Sequence, residues 1–512
     1  MPFDSILSPR TDVDSGVQPD EKPAFFRDLN LDQTVEAVTA GWKEYNLTPF
    51  FYSPLEDLDA VAYRQEVVRD LENEILFDEI DAFSAQMRKV REQLQQAKKL
   101  KDYKYARERC ILAAADLYSA GVDHLARLLP ILEIKSRGLC SFRAYLSTYV
   151  ESNPFRGFAI ETHNLKTLLS AIRYNLLIRE GGITVRQCDA TGDYSSTIEE
   201  TFSKFRQDAP QNYWVELRKW SGMNHIEAQV QQRVALLYPN AFRALDAFCG
   251  EQATCFDPTV ARFDREIQFY VAYLTYIEKF RRAGLRFCLP EVSRTSKEIR
   301  ARDAFDLALA ENLNRERSSV VLNDFRLSAG ERIFVVSGPN HGGKTTFARM
   351  LGQMHYLASL GLPVPGREAQ LFLPDQLFTH FEREENLTNL RGRLRDDLVR
   401  LHEILRKTTS NSFVILNEVF SSTCLKDAID LSKKVMTKLS DLDLLVVWVT
   451  FLDELAAFND KTVSVVAMVD AQNPRVRTYK LERQPATGLA YALAIAQKHR
   501  VTYECLKERL RS

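Results

Sequence analysis

Residues 338–345 read GPNHGGKT, which meets the spacing G-x-x-x-x-G-K-[ST] without a gap. Such a loop serves one kind of chemistry. Its glycines let the main chain curl until successive N–H groups face phosphate oxygens, and the start of the following helix adds a favourable partial charge. Lys344 is expected to reach the β- and γ-phosphates of a nucleotide, and the Thr345 hydroxyl to ligate Mg²⁺. The candidate nucleotide-binding set is therefore Gly338, Pro339, Asn340, His341, Gly342, Gly343, Lys344, Thr345 and Thr346, with ATP and Mg²⁺ as cofactors.

A second apolar run, SFVIL at 412–416, ends in Asn417 and Glu418. Glu418 is placed to orient the water that attacks a terminal phosphate, or to accept its proton, and is the candidate catalytic residue. Asn417 stands where an Asp is expected to help hold the metal, so the candidate metal ligands are Thr345 and Asn417. An amide oxygen still accepts a hydrogen bond from a metal-bound water but brings no negative charge. Exchanging a charge-assisted contact for a neutral one costs on the order of 1 kcal/mol. Weaker Mg²⁺ retention or slower turnover is expected, with nucleotide still bound.

These residues need a sheet to hold them. The runs RIFVVS (332–337), SFVIL (412–416) and LLVVWV (444–449) alternate with helical stretches, including 346–360, and predict a parallel or mixed sheet covered by helices. Upstream the pattern is helical. Ile80, Phe83, Met87, Val90, Leu94 and Ala97 make one apolar seam; Leu165, Leu168, Ile172 and Leu176 make a second; Phe263, Ile267, Tyr270, Leu274 and Ile277 make a third. Seams this narrow suggest long struts or levers. The fold class expected is α and α/β, with a long-helix core and lever region ahead of a P-loop domain with a mixed sheet. Its divisions are a disordered tail (1–25), a helical core (26–180), a small inserted β/helix segment (181–225), lever helices (226–290) and the nucleotide-binding domain (291–512).

Composition narrows the remaining possibilities. Across 512 residues, 68 Lys plus Arg against 69 Asp plus Glu leave a net charge of -1, so bulk charge singles out no polyanionic partner. Eight scattered cysteines without a C-x-x-C pair fit reduced thiols in a cytoplasmic protein. No apolar run approaches the roughly 18 residues of a membrane span, so no membrane association is expected. The histidines at 163, 225, 355, 380 and 402 show no metal-ligand spacing, and Cys424 has no paired base. A basic cluster of Lys98, Lys99, Lys101, Lys104, Arg107 and Arg109, interleaved with Tyr103 and Tyr105, is either a phosphate grip or a solvated helix end.

The motifs together resemble the MutS family of DNA mismatch-repair ATPases, of the ABC type. VSGPNHGGKTTFAR (336–349) resembles the family's G-P-N-M-G-G-K-S-T, with His341 at the Met position, where it reads as a pocket wall, and Thr345 at the Ser. The stretch 364–387 keeps the family's Val364, Pro365, Asp375, Phe378, Thr379 and Leu387. NEVFSSTCLKDA (417–428) resembles D-E-x-G-R-G-T-S-T-x-D-G through Glu418, Thr423 and Asp427, and PLEDLDAVAYRQEVVRDL (54–71) resembles the start of the family's helical core. The resemblance implies an ATPase working as a homodimer that sandwiches ATP, a C-terminal helical dimerisation segment near 488–510, and binding to duplex or branched DNA in repair or recombination.

Three departures qualify that implication. The signature-loop Ser falls at Gly392, between Arg391 and Arg393; the His after the third strand falls at Phe451; and the Walker B Asp falls at Asn417. With the phosphate cradle intact and these polar groups altered, slow hydrolysis is expected. The mismatch-recognition domain is expected to be missing: Phe77, Asp78 and Glu79 spell F-x-E inside an amphipathic helix, where Phe77 reads as core. The implied function is nucleotide-dependent dimer closure controlling DNA binding without base-specific readout. The alternative is an ATP-gated protein scaffold that binds no DNA.

Overall fold

The three apolar runs become neighbouring strands of a six-stranded sheet in the computed structural model. The residues described are 3–9, 21–180, 182–188, 201, 224–251, 256–382, 393–470, 472–473, 476–486, 502–503 and 506–507. The strands are β1 (Ile333–Ser337), β2 (Leu377–His380), β3 (Phe413–Asn417), β4 (Leu445–Val449), β5 (Thr462–Val469) and β6 (Arg477–Arg483). They lie in the order β2-β3-β4-β1-β5-β6, all parallel to their neighbours except β6, so the sheet is mixed as expected. Val446, Trp448, Ile333, Val414 and Leu416 are buried on one face, and Phe334, Val336, Ile415 and Val447 on the other. Burial on both faces explains why the strands read as continuous apolar runs. Helices α1 (Lys344–Ser359), α2 (Arg393–Lys407) and α3 (Leu425–Asp441) accompany them, and Leu401, Ile404, Met436 and Leu439 pack into the first face.

The chain divides into two units, the first comprising Met1–Phe3, Asn73–Ile134 and Cys140–Asp264, the second Asp4–Glu72, Lys135–Leu139 and Arg265–Ser512. In the first, helices Glu74–Lys99 and Lys104–Leu128 pack on each other, and Asn73 caps the former by accepting from the N–H groups of Ile75 and Leu76. Ile80, Phe83, Met87, Val90 and Ala97 are buried along the expected seam. Phe142 stacks on Phe263 with ring centroids 3.5 Å apart.

Two expectations fail within this unit. The helix Asn153–Ser170 stops before Ile172, and Leu176 lies in the strand Tyr174–Arg179, paired antiparallel with Gly182–Gln187. The inserted β segment therefore begins seven residues before 181, because the run YNLLI satisfies a strand as readily as the end of a helical seam. The leading residues are not wholly a loose tail either: Phe3 is buried edge-on against Phe142.

The second unit repeats that correction. Ile6 is fully buried and Leu7 nearly so; the Ser5 hydroxyl and the Ile6 N–H both donate to Glu266 Oε2, at 2.9 and 3.0 Å, and Tyr270 donates to the Ile6 carbonyl at 2.8 Å. Residues 10–20 of the expected tail lie outside the described residues. The helix Pro258–Arg282 departs from a narrow-seamed lever: beyond Ile267, Tyr270, Leu274 and Ile277, the residues Phe269, Val271, Tyr273 and Tyr276 of its other faces are buried too. A four-stranded sheet, Glu291–Ser293, Glu368–Phe372, Ile299–Ala304 and Asn323–Leu327 in that order, completes the unit. Among the described residues no helix is long and apolar enough to cross a membrane.

Candidate functional site

Register brings the site together. Val336 of β1 pairs with Val449 of β4, and Val449 pairs with Asn417 of β3, so the segments following these strands leave the sheet at one level. The carboxyl edge of parallel strands is where open α/β sheets place ligands. Here it presents the phosphate loop, Glu418 and Phe451 to one cavity of about 790 Å³.

The loop has the required curvature. Gly338 sits at φ 117°, where a Cβ would come within 2.9 Å of the Ala467 main-chain nitrogen, and Gly343 ends the loop at φ 94°. His341 also adopts a left-handed conformation, at φ 59°. No side chain caps the start of α1, which leaves that end of the helix open to an anion. Asn340, His341, Gly342, Gly343, Lys344, Thr345 and Thr346 all line the cavity, whereas Gly338 and Pro339 contribute carbonyls behind it.

Lys344 is only 4% exposed and donates to the Gly338 and Pro339 carbonyls, both at 3.0 Å. Its ammonium lies 4.3 Å from the Phe451 ring centroid. Burial lowers its pKa, partly offset by the Glu418 charge, and Arg477 lowers it further. Thr345 Oγ1 donates to Asn417 Oδ1 at 3.0 Å, so the two candidate metal ligands meet. Glu418 is partly buried at φ 53°, with its N–H donating to the Val449 carbonyl at 2.9 Å. Burial raises its carboxyl pKa, against the lowering influence of Lys344, and Glu382 adds to the rise.

The residues fit the groups the motif implies. The open helix start and inward glycine loop suit phosphates, while the metal position offers two neutral oxygens, from Thr345 and Asn417. No cluster of three or more His, Cys, Asp or Glu able to hold a metal occurs among the described residues. A Mg²⁺ there would take its remaining ligands from phosphate and water, as this ion commonly does.

Sequence reasoning missed the apolar part of the cavity lining. Phe305, Leu309, Val320, Val321 and Tyr479 supply it, the last beside Gly343, at φ 57° and 51% exposed. The signal available was the apolar pair Val320-Val321 within the polar stretch RERSSVVLND. Tyr479 gave none, being one aromatic in a charged strand.

Other candidates are placed elsewhere. Within the first unit Lys104 donates to Asp246 at 2.7 Å and Tyr105 packs against Phe242 at 4.8 Å, so part of the basic cluster is engaged in packing. Phe77 lies within the helix Glu74–Lys99. Cys424 is exposed, Cys110 is buried, and no disulfide joins cysteines among the described residues. Gly392 and most of the segment 488–510 lie outside the described residues.

Comparison with known proteins agrees with this geometry. Residues 334–509 match the family model MutS domain V. The chain is 33% identical over 131 residues to the DNA mismatch repair protein MutS of Rickettsia bellii, covering 26% of this chain and 15% of that protein. It is 34% identical over 196 residues to the endonuclease MutS2 of Thermus thermophilus, covering 36% of this chain and 25% of that one. The chain thus aligns with a quarter or less of the length of these relatives, and the family match spans the phosphate loop, Asn417 and Glu418.

Proposed function

We propose that this MutS-family relative, whose kinship lies in domain V, is an ATP-binding switch with slow hydrolysis, in which nucleotide-dependent closure of two copies controls the grip on DNA without base-specific readout. The carrying observation is an intact phosphate cradle beside two neutralised positions: Lys344 and the open start of α1 are in place, while Asn417 and Phe451 supply no charge. Loop N–H groups and Lys344 would hold phosphates, Thr345 and Asn417 would orient a Mg²⁺ shell, and Glu418 would accept a proton from water. Bound Mg²⁺ would supply charge neutralisation of the phosphates. The apolar lining at Leu309, Val320 and Val321, with Tyr479 beside Gly343, suits a nucleobase.

ATP turnover and binding of a fluorescent ATP analogue test the reading in wild type, Lys344→Ala and Glu418→Gln, with and without duplex and branched DNA. Loss of nucleotide in Lys344→Ala and loss of turnover alone in Glu418→Gln are expected. Wild-type protein that takes up no nucleotide at millimolar ATP and Mg²⁺ defeats it.

A second reading, an ATP-gated protein scaffold without DNA binding, draws support from the net charge of -1 and from the engagement of Lys104 and Tyr105 in packing. Fluorescence anisotropy with duplex, branched and single-stranded DNA at two salt concentrations separates the two, since phosphate contacts weaken steeply with salt. Absence of binding to any DNA at low salt favours the scaffold.

A further inference from the structure

We propose that the slot between the helices Leu58–Leu71 and Pro258–Arg282 is a peptide-binding site: it is filled by the chain's own Ser5, Ile6 and Leu7, and it accepts the same residues from a second copy of the chain when its own are withdrawn. Four side chains of the second unit read the main chain of this segment. Tyr63 donates to the Ser5 carbonyl and Tyr270 to the Ile6 carbonyl, both at 2.8 Å, and Arg64 Nε donates to the Leu7 carbonyl at 2.9 Å. Glu266 Oε2 accepts from the Ile6 N–H at 3.0 Å and from the Ser5 hydroxyl at 2.9 Å. Three consecutive carbonyls and one N–H thus meet groups of the opposite kind. Main-chain bonds of this sort supply affinity for a peptide, and the pockets between them supply selectivity.

The slot is destabilised when empty. Arg64 is 5% exposed and Glu266 7%, so withdrawing the segment takes from a buried cation one of its two carbonyls, the other being that of Leu360 at 3.2 Å, and from a buried carboxylate two donors. Leaving such groups without partners is worse than losing the bonds alone. A lone ion satisfies only one of them, whereas a peptide brings carbonyls and an N–H at fixed spacing. Its side chains are specified as well. Ile6 is fully buried and Leu7 nearly so, which excludes a charged residue at either place. The Leu7 N–H turns back on the Ser5 hydroxyl at 3.0 Å, so the serine also sets the bend of the segment. The ligand class is a serine followed by two aliphatic residues.

A second copy carries that ligand by construction. None of these bonds depends on which chain supplies the segment, and exchange of an identical element is a low-cost route to pairing. Between Pro9 and the next described residue, Glu21, lie 11 residues, a stretch whose full reach is about 40 Å. That length permits the segment to serve a slot other than its own.

The test uses full-length chains and a fluorescent peptide of residues 3–9. Ile6→Asp keeps every side chain of the slot but cannot seat its own segment, because a charge would have to enter a fully buried position. The peptide is expected to bind Ile6→Asp saturably and wild type at least about tenfold more weakly, since the attached segment competes at an effective concentration of about a millimolar. Tyr63→Phe together with Tyr270→Phe, added to Ile6→Asp, removes two donors while keeping bulk and should weaken the peptide by about tenfold. In a second arm, without nucleotide, Ile6→Asp is mixed with a differently tagged chain carrying only Tyr63→Phe and Tyr270→Phe, whose segment is intact. The two are expected to co-purify and to separate when excess peptide is added. Melting curves report whether Ile6→Asp is folded; if it is not, wild type cut at a protease site inserted within residues 10–20 takes its place and is expected to exchange its own segment for the labelled peptide. A folded or cut chain that takes up no peptide overturns the site, as does binding indifferent to the two phenylalanines. Absence of any association that the peptide disperses overturns the second copy as occupant.

Discussion

Thr345 Oγ1 donates to Asn417 Oδ1 at 3.0 Å, joining the first turn of α1 to the end of β3 through two neutral groups. An aspartate at 417 would place a negative charge on the same line and draw Mg²⁺ into the space beside the hydroxyl. Asn417→Asp is expected to lower the Mg²⁺ concentration needed for half-maximal nucleotide binding by roughly tenfold, about the worth of one charge-assisted contact. A titration of nucleotide binding against Mg²⁺ checks this, and an unmoved midpoint counts against a metal role for the position.

Glu418→Gln is expected to cut turnover by about a hundredfold or more while nucleotide affinity stays within about threefold, as for loss of a general base. The pH dependence follows from the raised carboxyl pKa, caused first by burial. Only the carboxylate accepts a proton, so turnover should rise with pH on a limb lying above the ordinary carboxylate range. That limb should be absent from the residual activity of the glutamine variant.

The leading segment should contribute measurably to stability. Ile6 is fully buried, and Glu266 receives both its N–H and the Ser5 hydroxyl. Ile6→Ala is expected to lower the unfolding free energy of the second unit by about 2–4 kcal/mol in a chemical denaturation experiment. A change below about 0.5 kcal/mol would mean the segment is dispensable.

Glu108 gives the first unit a pH dependence of its own. Burial, then the charge of Asp246, raises its carboxyl pKa to about 7 from 4.5, with Lys104 opposing. The folded state therefore holds the proton more tightly than the unfolded one. The stability from this proton is complete below pH 4.5, is lost as pH rises to about 7, and is absent above that. Glu108→Gln should flatten that slope and leave the unit relatively more stable at pH 8, as read from melting temperatures across pH 4 to 8.

The curved loop after β1 and the placing of Asn417 and Glu418 were legible because their signal is local: a loop of fixed spacing after an apolar strand admits few structures, and Asn417 ends β3 with Glu418 next to it. The apolar lining was not, since Leu309, Val320 and Tyr479 come together only through the tertiary fold. The helix Pro258–Arg282 shows a different limit. Its polar residues Asp264, Glu266 and Gln268 are of types that favour solvent, yet each is buried against a specific partner: Arg91 for Asp264, Ser5 for Glu266 and the Trp42 indole N–H for Gln268, the last at 3.0 Å. Periodicity reports the polarity of a face and carries no information about distant partners that satisfy it. Residues 3–9 were missed for a related reason, because three apolar side chains among Ser, Pro and Asp do not set up a period.

The main-chain bond from Glu418 to the Val449 carbonyl spans only two residues of chain before the ring that covers Lys344. The carboxylate proposed to act on water and the ring over Lys344 therefore hang from the ends of neighbouring strands, β3 and β4, joined by that bond. Movement of the main chain at either place is thus expected to be felt at the other within one copy of the chain.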